Sequence, residues 1–290
     1  MKYEGIIIRP PSEAYSLLLQ VTVGCSHNRC TFCPTYKGVK FRIKSPEEIS
    51  EDIRAARRYR QVEKVFLCDG DALIVPHARL LDMLHQLKES LPALKRVGLY
   101  GNAKSILRKS REELGELRET GLGIVYLGVE SGHRDVLRDI KKGVSYDQLV
   151  EAGRRVKDAG ISLSVTVILG LGGRDRSVDH ARETARILTD IDPDYVGALT
   201  LMLVPGTPLH DEYDTGKFIL PDTFDFLNEL GIMIANSTFT NCFFTSNHAS
   251  NYLPIRARLP QEKEKTVALI QKVIGAANPG LLRPEYARAL

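Results

Sequence analysis

Six short apolar segments alternate with amphipathic stretches between residues 17 and 203, and this alternation limits the fold more than any other feature of the sequence. The segments are rich in Val, Ile, Leu or Tyr, as expected of strands that are buried in a parallel sheet. They comprise residues 17–23, 64–67, 96–100, 124–128, 162–169 and 195–203. Alternating strands and helices favour a parallel sheet with right-handed crossovers, so six strands predict an α/β protein with a partial (β/α)6 barrel of the TIM type.

Capping residues mark where the intervening helices begin. Ser45, Pro46 and Glu48 supply an N-cap, a proline at the first helical position and a capping-box glutamate. Ser145 and Gln148 repeat the capping-box pattern. Further helices are predicted near residues 77–89, 111–118 and 178–189.

The pattern divides the chain into three parts. Residues 1–14 form an N-terminal extension, residues 15–210 the barrel, and residues 211–290 a C-terminal region of different composition. In that last region Asn, Ser, Thr and Phe dominate from residue 236 to 252, and a charged helix is predicted near residues 260–274. We interpret it as a cap that shapes a substrate pocket, not as an independent domain.

Composition narrows the class of protein. The chain has 290 residues, 43% apolar and 26% charged, with a net charge of +4, which is ordinary for a globular protein. Lys and Arg are scattered among Asp and Glu, so nucleic acid is not an expected partner. The longest apolar run, residues 163–171, is too short to cross a bilayer, and the N-terminus has no signal-peptide core. These features predict a cytoplasmic enzyme with no membrane partner.

Three of the five cysteines, Cys25, Cys30 and Cys33, lie within nine residues, with no equally close fourth. An odd number of cysteines in a chain of this length argues against a disulfide scaffold. Three thiolates hold three irons of a cubane iron–sulfur cluster and leave the fourth iron open to another ligand. A structural zinc site is the alternative, but it needs a fourth ligand, and His27 is too close in sequence to reach round comfortably.

Residues suited to ligand binding follow each predicted strand, at the edge where parallel strands hand over to helices. The first strand leads into the cysteine loop. The other exits contain, in chain order, Cys68-Asp69-Gly70-Asp71, Gly101-Asn102, Glu130-Ser131-Gly132, Gly170-Leu171-Gly172-Gly173 and Pro205-Gly206-Thr207-Pro208. The third glycine of a dinucleotide fingerprint is missing after Gly170, so a Rossmann oxidoreductase is not favoured. We expect the six exits to converge on one face of the sheet.

Together these segments resemble the radical S-adenosylmethionine (SAM) superfamily over residues 15–210. The pattern is most similar to the elongator catalytic subunit, the methylthiotransferases and anaerobic coproporphyrinogen oxidase. The resemblance is carried by the cysteine loop, by Gly128-Val-Glu-Ser-Gly132 and by Val204-Pro-Gly-Thr-Pro-Leu209. Two departures are visible: four residues, not three, separate Cys25 from Cys30, and Asp69-Gly70-Asp71 stands where that family has a Gly-Gly-Glu loop.

The resemblance implies an oxygen-sensitive enzyme in which Cys25, Cys30 and Cys33 bind a 4Fe–4S cluster. The amino and carboxylate groups of SAM then chelate the fourth iron. Reduction, by a low-potential donor such as flavodoxin or ferredoxin, cleaves SAM to a 5′-deoxyadenosyl radical, which abstracts hydrogen from a substrate. We expect that substrate to be a small organic molecule. A tRNA-modifying radical SAM enzyme and a non-catalytic zinc or iron–sulfur protein are the alternatives.

The resemblance also assigns cofactor contacts to residues of this chain. Phe32 lies against the cluster or the adenine, and Gly70 with Asp69 or Asp71 receives the amino group of SAM. Asn102 and Glu130, the latter followed by Ser131, meet the ribose, and Gly170 and Leu171 meet the adenine. For Glu130 and Asp71, a carboxylate that only caps a turn is the alternative.

The segment of residues 241–252 combines hydrogen-bonding groups with aromatic side chains, as pockets for polar ligands do. We interpret it as a pocket wall, in which His248 acts as an acid–base group or substrate anchor and Cys242 returns a hydrogen atom to a substrate radical. A loop capped by its own Asn and Ser side chains is the alternative.

Overall fold

The computed structural model describes residues 1–59 and 61–289. Arg60, within the predicted barrel, and Leu290, the last residue of the predicted cap, lie outside the described residues. The strands are β1 Leu17–Gln20, β2 Thr22–Val23, β3 Arg42–Ile43, β4 Lys64–Cys68, β5 Arg96–Tyr100, β6 Leu122–Glu130, β7 Ser162–Leu169, β8 Tyr195–Thr200, β9 Cys242–Thr245 and β10 Arg256–Leu259. The helices are α1 Pro46–Ala56, α2 His77–Ser90, α3 Ala103–Leu107, α4 Arg111–Thr120, α5 Arg134–Asp139, α6 Tyr146–Asp158, α7 Ser177–Ile191, α8 Pro208–Asp214, α9 Thr223–Asn236 and α10 Lys263–Ala276.

The chain forms two compact units. The first contains Met1–Asn28, Thr35–Leu127 and Glu151–Leu163, and the second contains Arg29–Pro34, Gly128–Val150 and the chain from Ser164 onward. Among the described residues, no helix has both the length and the apolar character needed to cross a membrane.

The first unit is built on parallel strands in the order β1, β4, β5, β6. The predicted first strand, residues 17–23, is split in two because Val21 changes partners. Its N–H donates to the carbonyl of Cys68 at 2.6 Å, while its carbonyl accepts from the N–H of Lys44 at 3.0 Å. Beyond Val21, β2 therefore pairs antiparallel with β3 in a separate ribbon, immediately before the cysteine loop.

One face of this sheet carries an apolar cluster with the rings of Phe66, Tyr100 and Tyr126. Phe66 meets Tyr100 edge to face, with ring centroids 5.0 Å apart. The N-terminal extension also contacts this face: Ile7 packs against the cluster, and the fully buried carboxylate of Glu13 accepts from Tyr126 Oη at 2.5 Å. The extension therefore contacts the core of the first unit through Ile7 and Glu13, while most of its other residues are exposed.

The second unit contains β7 and β8, which are parallel, then β9 parallel to β8 and β10 antiparallel to β9. Helix α9 packs against both α7 and α10. Residues 242–245 form β9, so the alternative interpretation of residues 241–252 as a loop is wrong for this part, and the interpretation as a pocket wall stays a prediction. Cys242 and Phe244 are buried while Phe243 and Thr245 are half-buried, and this alternation is that of a strand.

The predicted helix starts are confirmed at α1 and α6. The Ser45 hydroxyl accepts from the N–H of Glu48 at 3.2 Å, and the Glu48 carboxylate accepts from the N–H of Ser45 at 2.6 Å. Ser145 and Gln148 exchange the same two bonds before α6. The α/β class, with parallel strands alternating with helices, is confirmed.

Candidate active site

The cysteine loop begins directly after β2. Cys25 belongs to the first unit, and Cys30 and Cys33 to the second. All five cysteines lie among the described residues, and none forms a disulfide. Cys25, Cys30 and Cys33 are half-buried. Partly accessible thiols fit the soft-ligand requirement of an iron–sulfur cluster. Within residues 1–59 and 61–289, no three His, Cys, Asp or Glu side chains already form a metal-binding group. The ligand assignment therefore rests on donor chemistry and stays a prediction.

Gly70 lies against Cys25 at the exit of β4. A Cβ atom on Gly70 would come within 2.8 Å of Tyr36 Cε2 and 3.1 Å of Cys25 Cβ. With contacts this short to the ring of Tyr36 and the side chain of Cys25, any larger residue at position 70 would force its neighbours to shift. The glycine thus brings the backbone after β4 into contact with the first cysteine.

Asp71 is fully buried, and its carboxylate accepts three hydrogen bonds. Oδ1 accepts from the N–H of Asn102 at 2.9 Å, while Oδ2 accepts from Ser26 Oγ at 2.5 Å and Ser105 Oγ at 2.7 Å. Burial raises the pKa of Asp71, and these donors oppose that rise. The carboxylate joins the cysteine loop to the exits of β4 and β5, and its predicted contact with the amino group of SAM stays a prediction.

Asp69 is also buried and holds a second set of contacts. It accepts from Gln20 Nε2 at 2.9 Å and from Tyr36 Oη at 3.3 Å, while its own N–H donates to Thr22 Oγ1 at 3.0 Å. Burial raises its pKa. Asp69 therefore joins the end of β4 to β1, β2 and the ring that covers Gly70.

Asn102, predicted to meet the ribose, is the N-cap of α3. Its Oδ1 accepts from the N–H of Lys104 at 3.0 Å, which is the usual role of Asn at this position. Its side-chain amide group lies at the exit of β5, so the predicted role stays open to test.

In the second unit, Glu130 ends β6 with a backbone φ of +67°, unusual for a residue with a side chain. Its carboxylate pairs with Lys142 Nζ at 2.9 Å. A Cβ on Gly128 would lie 2.2 Å from Glu130 Oε1, so glycine at 128 makes room for the carboxylate. Ser131 is fully buried, and its hydroxyl accepts from the N–H of His133 at 3.0 Å.

The glycine-rich turn after β7 is enclosed by side chains of this chain. Gly170 has a φ of +87°, and a Cβ there would lie 2.2 Å from Phe226 Cε1. The spaces beside Gly172 and Gly173 are taken by His180 and Phe218. Leu171 is buried in the apolar cluster of this unit. Their predicted contact with adenine stays a prediction, and Phe226 is a neighbour that the sequence did not reveal.

Phe32, between Cys30 and Cys33, packs against the same apolar cluster as Leu171. The backbone beside it is held on both sides: the N–H of Thr31 donates to the carbonyl of Ile140 at 3.0 Å, and the carbonyl of Thr31 accepts from the N–H of Leu209 at 3.1 Å. The second half of the cysteine loop is thus anchored to the ends of α5 and α8.

The two predicted catalytic residues lie in different settings. Cys242 is buried within β9. His248 is half-buried, and its Nδ1 accepts from the N–H of Ser250 at 3.1 Å. Burial lowers the pKa of His248, and the nearby charge of Arg283 lowers it further. The imidazole is therefore neutral near pH 7, and both catalytic assignments stay predictions.

Sequence reasoning missed the residues that hold the site together. Ser26, Gln20 and Tyr36 bind the two buried aspartates, and Glu229 binds Gly170. Ser26 directly follows Cys25, so its position in the loop was a usable sign. No sequence pattern indicated Glu229, because it lies 59 residues from Gly170 on a helix that was not predicted.

With this geometry in view, the family is clear. Residues 19–188, more than half of the chain, match the model of the radical SAM superfamily, and the chain belongs to that superfamily. Its members are enzymes that use a 4Fe–4S cluster and SAM. The resemblance predicted from the motifs is confirmed.

Similar proteins agree with this assignment. The chain is 28% identical to biotin synthase of Alkalilimnicola ehrlichii over 230 residues, 77% of this chain and 64% of that protein. Methylornithine synthase superposes with a TM-score of 0.54 at 22% identity, over 77% of this chain and 63% of that one. Coproporphyrinogen III oxidase from Escherichia coli gives 0.56 at 15% identity, over 76% and 51%. These likenesses show a shared fold, and the chain spans less than two thirds of each of the three relatives.

Proposed function

We propose that this protein reductively cleaves SAM at a 4Fe–4S cluster held by Cys25, Cys30 and Cys33 and abstracts hydrogen from a small organic substrate. The observation that carries the proposal is a set of three thiols in one loop, none in a disulfide, inside the stretch that matches the family. Three thiolates leave one iron without a protein ligand, which is where SAM binds.

The donor set fits the cofactors. When bound and reduced, the cluster and SAM supply a 5′-deoxyadenosyl radical through one-electron cleavage of the sulfonium carbon–sulfur bond. The residues of the chain bind and orient the cofactor. Gly70 presents backbone groups beside Cys25, where the amino group of SAM is expected to bind. The carboxylates of Asp69 and Asp71 flank Gly70 in the chain. Asn102, Glu130 and Ser131 lie at strand exits suited to the ribose, and Phe32, Gly170 and Leu171 provide an apolar side for the adenine.

A small-molecule substrate is supported by two observations. The similar biotin synthase makes a small organic compound, as its name states. The charge of the chain is diffuse, without the basic stripe that binds nucleic acid. We propose a cytoplasmic enzyme whose electron comes from a low-potential donor such as flavodoxin or ferredoxin. His248 and Cys242 remain candidates for acid–base chemistry and hydrogen return.

Anaerobic reconstitution tests the proposal. The protein is loaded with iron and sulfide, reduced in the presence of SAM, and assayed for 5′-deoxyadenosine. Cys30→Ala is expected to lose iron and cleavage together, whereas Cys68→Ala, which alters a buried thiol outside the loop, is expected to keep both. Colourless protein with one tightly bound zinc would overturn the proposal, as would Cys30→Ala protein that cleaves SAM at the normal rate. Faster cleavage of SAM when tRNA is added would contradict the proposal of a small-molecule substrate but not the proposed SAM chemistry.

A further inference from the structure

We infer that Glu229, on helix α9, is a positioning residue that fixes the glycine-rich turn of residues 170–173 for SAM, and that Phe226 assists it from the same helix. The inference rests on the proposed function, because the turn that Glu229 positions is the one expected to bind the adenine of SAM. It goes beyond the family match, which ends at residue 188, whereas α9 spans Thr223–Asn236.

The carboxylate of Glu229 is fully buried and has three hydrogen-bond partners. Oε2 accepts from the N–H of Gly170 at 2.7 Å and lies 3.2 Å from His180 Nδ1, while Oε1 accepts from Ser177 Oγ at 2.7 Å. A carboxylate oxygen accepts from His180 in the tautomer that carries the hydrogen on Nδ1. A buried carboxylate is tolerated only when its oxygens are satisfied in this way.

The bond to Gly170 matters because this residue is where β7 ends and the backbone turns with a positive φ. Its N–H would otherwise be a buried donor without an acceptor, which is costly. Glu229 therefore sets the position at which the turn leaves the strand.

Phe226 acts on the same residue from one helical turn away. The 2.2 Å separation between its Cε1 and an ideal Cβ on Gly170 means that the ring occupies the space a side chain would need. Residues three apart on a helix share a face. The ring of Phe226 packs against Cα of Gly170, and the carboxylate of Glu229 accepts a hydrogen bond from its N–H. Helix α9 therefore contacts the start of the turn through two side chains.

Glu229→Met removes the hydrogen bond to Gly170, because methionine has a similar volume but accepts no strong hydrogen bond. Glu229→Gln is the conservative variant, since its carbonyl oxygen still accepts from Gly170 and its amide donates to Ser177 Oγ. Ser177→Ala is the matched control, because it removes one bond to Oε1 and leaves the contact to Gly170 in place. Phe226→Leu tests the second contact without changing polarity.

The experiment measures SAM affinity by equilibrium dialysis of the reconstituted holoprotein without reductant, together with iron content and the backbone hydrogen exchange of the peptide that contains residues 168–173. We expect Glu229→Met to bind SAM about tenfold more weakly and to exchange faster in that peptide, with iron content unchanged. Glu229→Gln and Ser177→Ala are expected to stay within about threefold of the wild type.

Equal SAM affinity of Glu229→Met and the wild type would overturn the inference, as would an equal loss in Ser177→Ala. If Glu229→Met does not fold, Phe226→Leu decides: weaker SAM binding at full iron content supports the inference, and unchanged binding and exchange overturn it. Wild-type holoprotein that fails to bind SAM would instead contradict the proposed function, so the two failures are distinguishable.

Discussion

Ser26 Oγ donates to Oδ2 of Asp71 at 2.5 Å, so the residue next to Cys25 is tied to the buried carboxylate at the exit of β4. The same carboxylate accepts from the N–H of Asn102 and the hydroxyl of Ser105, which belong to the exit of β5 and to α3. One buried side chain therefore positions the start of the cysteine loop against two strand ends of the first unit.

Asp71→Ala should reduce iron uptake during reconstitution and destabilise the protein. The substitution leaves donors of Ser26, Asn102 and Ser105 without an acceptor, at about 1–3 kcal/mol for each buried donor left unsatisfied. Iron content and chemical denaturation measure the two effects. Ser105→Ala is the control, because it removes a donor but keeps the bond to Ser26. If both variants took up iron equally well, Asp71 would have no special part in positioning the loop.

Gly70→Ala should distort the contact with Cys25. The added methyl group would lie 2.8 Å from the ring of Tyr36, and relieving such overlap typically costs about 1–3 kcal/mol. A lower thermal midpoint and poorer iron incorporation are expected. Gly115→Ala, within helix α4 and with open space around it, should raise stability by up to about 1 kcal/mol. A Gly70→Ala protein as stable and as iron-rich as the wild type would refute the close contact.

Lys142→Met should leave the carboxylate of Glu130 without its ion-pair partner. The two side chains are only 16% and 11% exposed, so water replaces the lost partner poorly, and a loss of about 1–3 kcal/mol is expected. Arg138→Met is the comparison, since its pair with Asp135 is exposed and should contribute less than about 1 kcal/mol. Equal losses in urea denaturation would show that the pair with Glu130 contributes no more than a surface pair.

His248 should make the protein less stable as the pH falls below about 7. The folded-state pKa of His248 is lowered by burial and by Arg283, so between that pKa and the ordinary value the unfolded chain binds the extra proton. Stability from this group is present above about pH 6.5 and is lost on acidification through that window. Protonation would also break the bond that Nδ1 accepts from Ser250.

Denaturation curves between about pH 7.5 and pH 5.5 measure this effect. His248→Asn, whose Oδ1 replaces Nδ1 as an acceptor, should flatten the dependence. Identical slopes for the wild type and His248→Asn would contradict the lowered pKa.

The sequence was sufficient for β1 and for β4 to β8, because each lies in a short apolar run, and capping residues such as Ser45 and Ser145 mark helices between these runs. It was also sufficient for the family, since cysteine spacing and strand-exit motifs are local patterns. It failed at β9, where the alternating burial of Cys242, Phe243, Phe244 and Thr245 spans only four residues among polar neighbours.

The contacts that hold the site were beyond sequence reasoning for a different reason. Gln20 meets Asp69 across 49 positions and Glu229 meets Gly170 across 59, and no local period encodes such pairs. The resemblance to the family assigned Gly70 and Gly170 to contacts with SAM. What approaches them, Cys25 and Tyr36 in one case and Phe226 in the other, depends on tertiary packing.

The central claim is that a cluster held by Cys25, Cys30 and Cys33 keeps one iron open for SAM. Electron paramagnetic resonance of the reconstituted and reduced protein, recorded with and without SAM, tests it most directly. We predict the signal of a reduced 4Fe–4S cluster whose g-values shift when SAM is added, and the loss of that signal in Cys30→Ala. An identical signal with and without SAM, in protein with its full complement of iron, would contradict it.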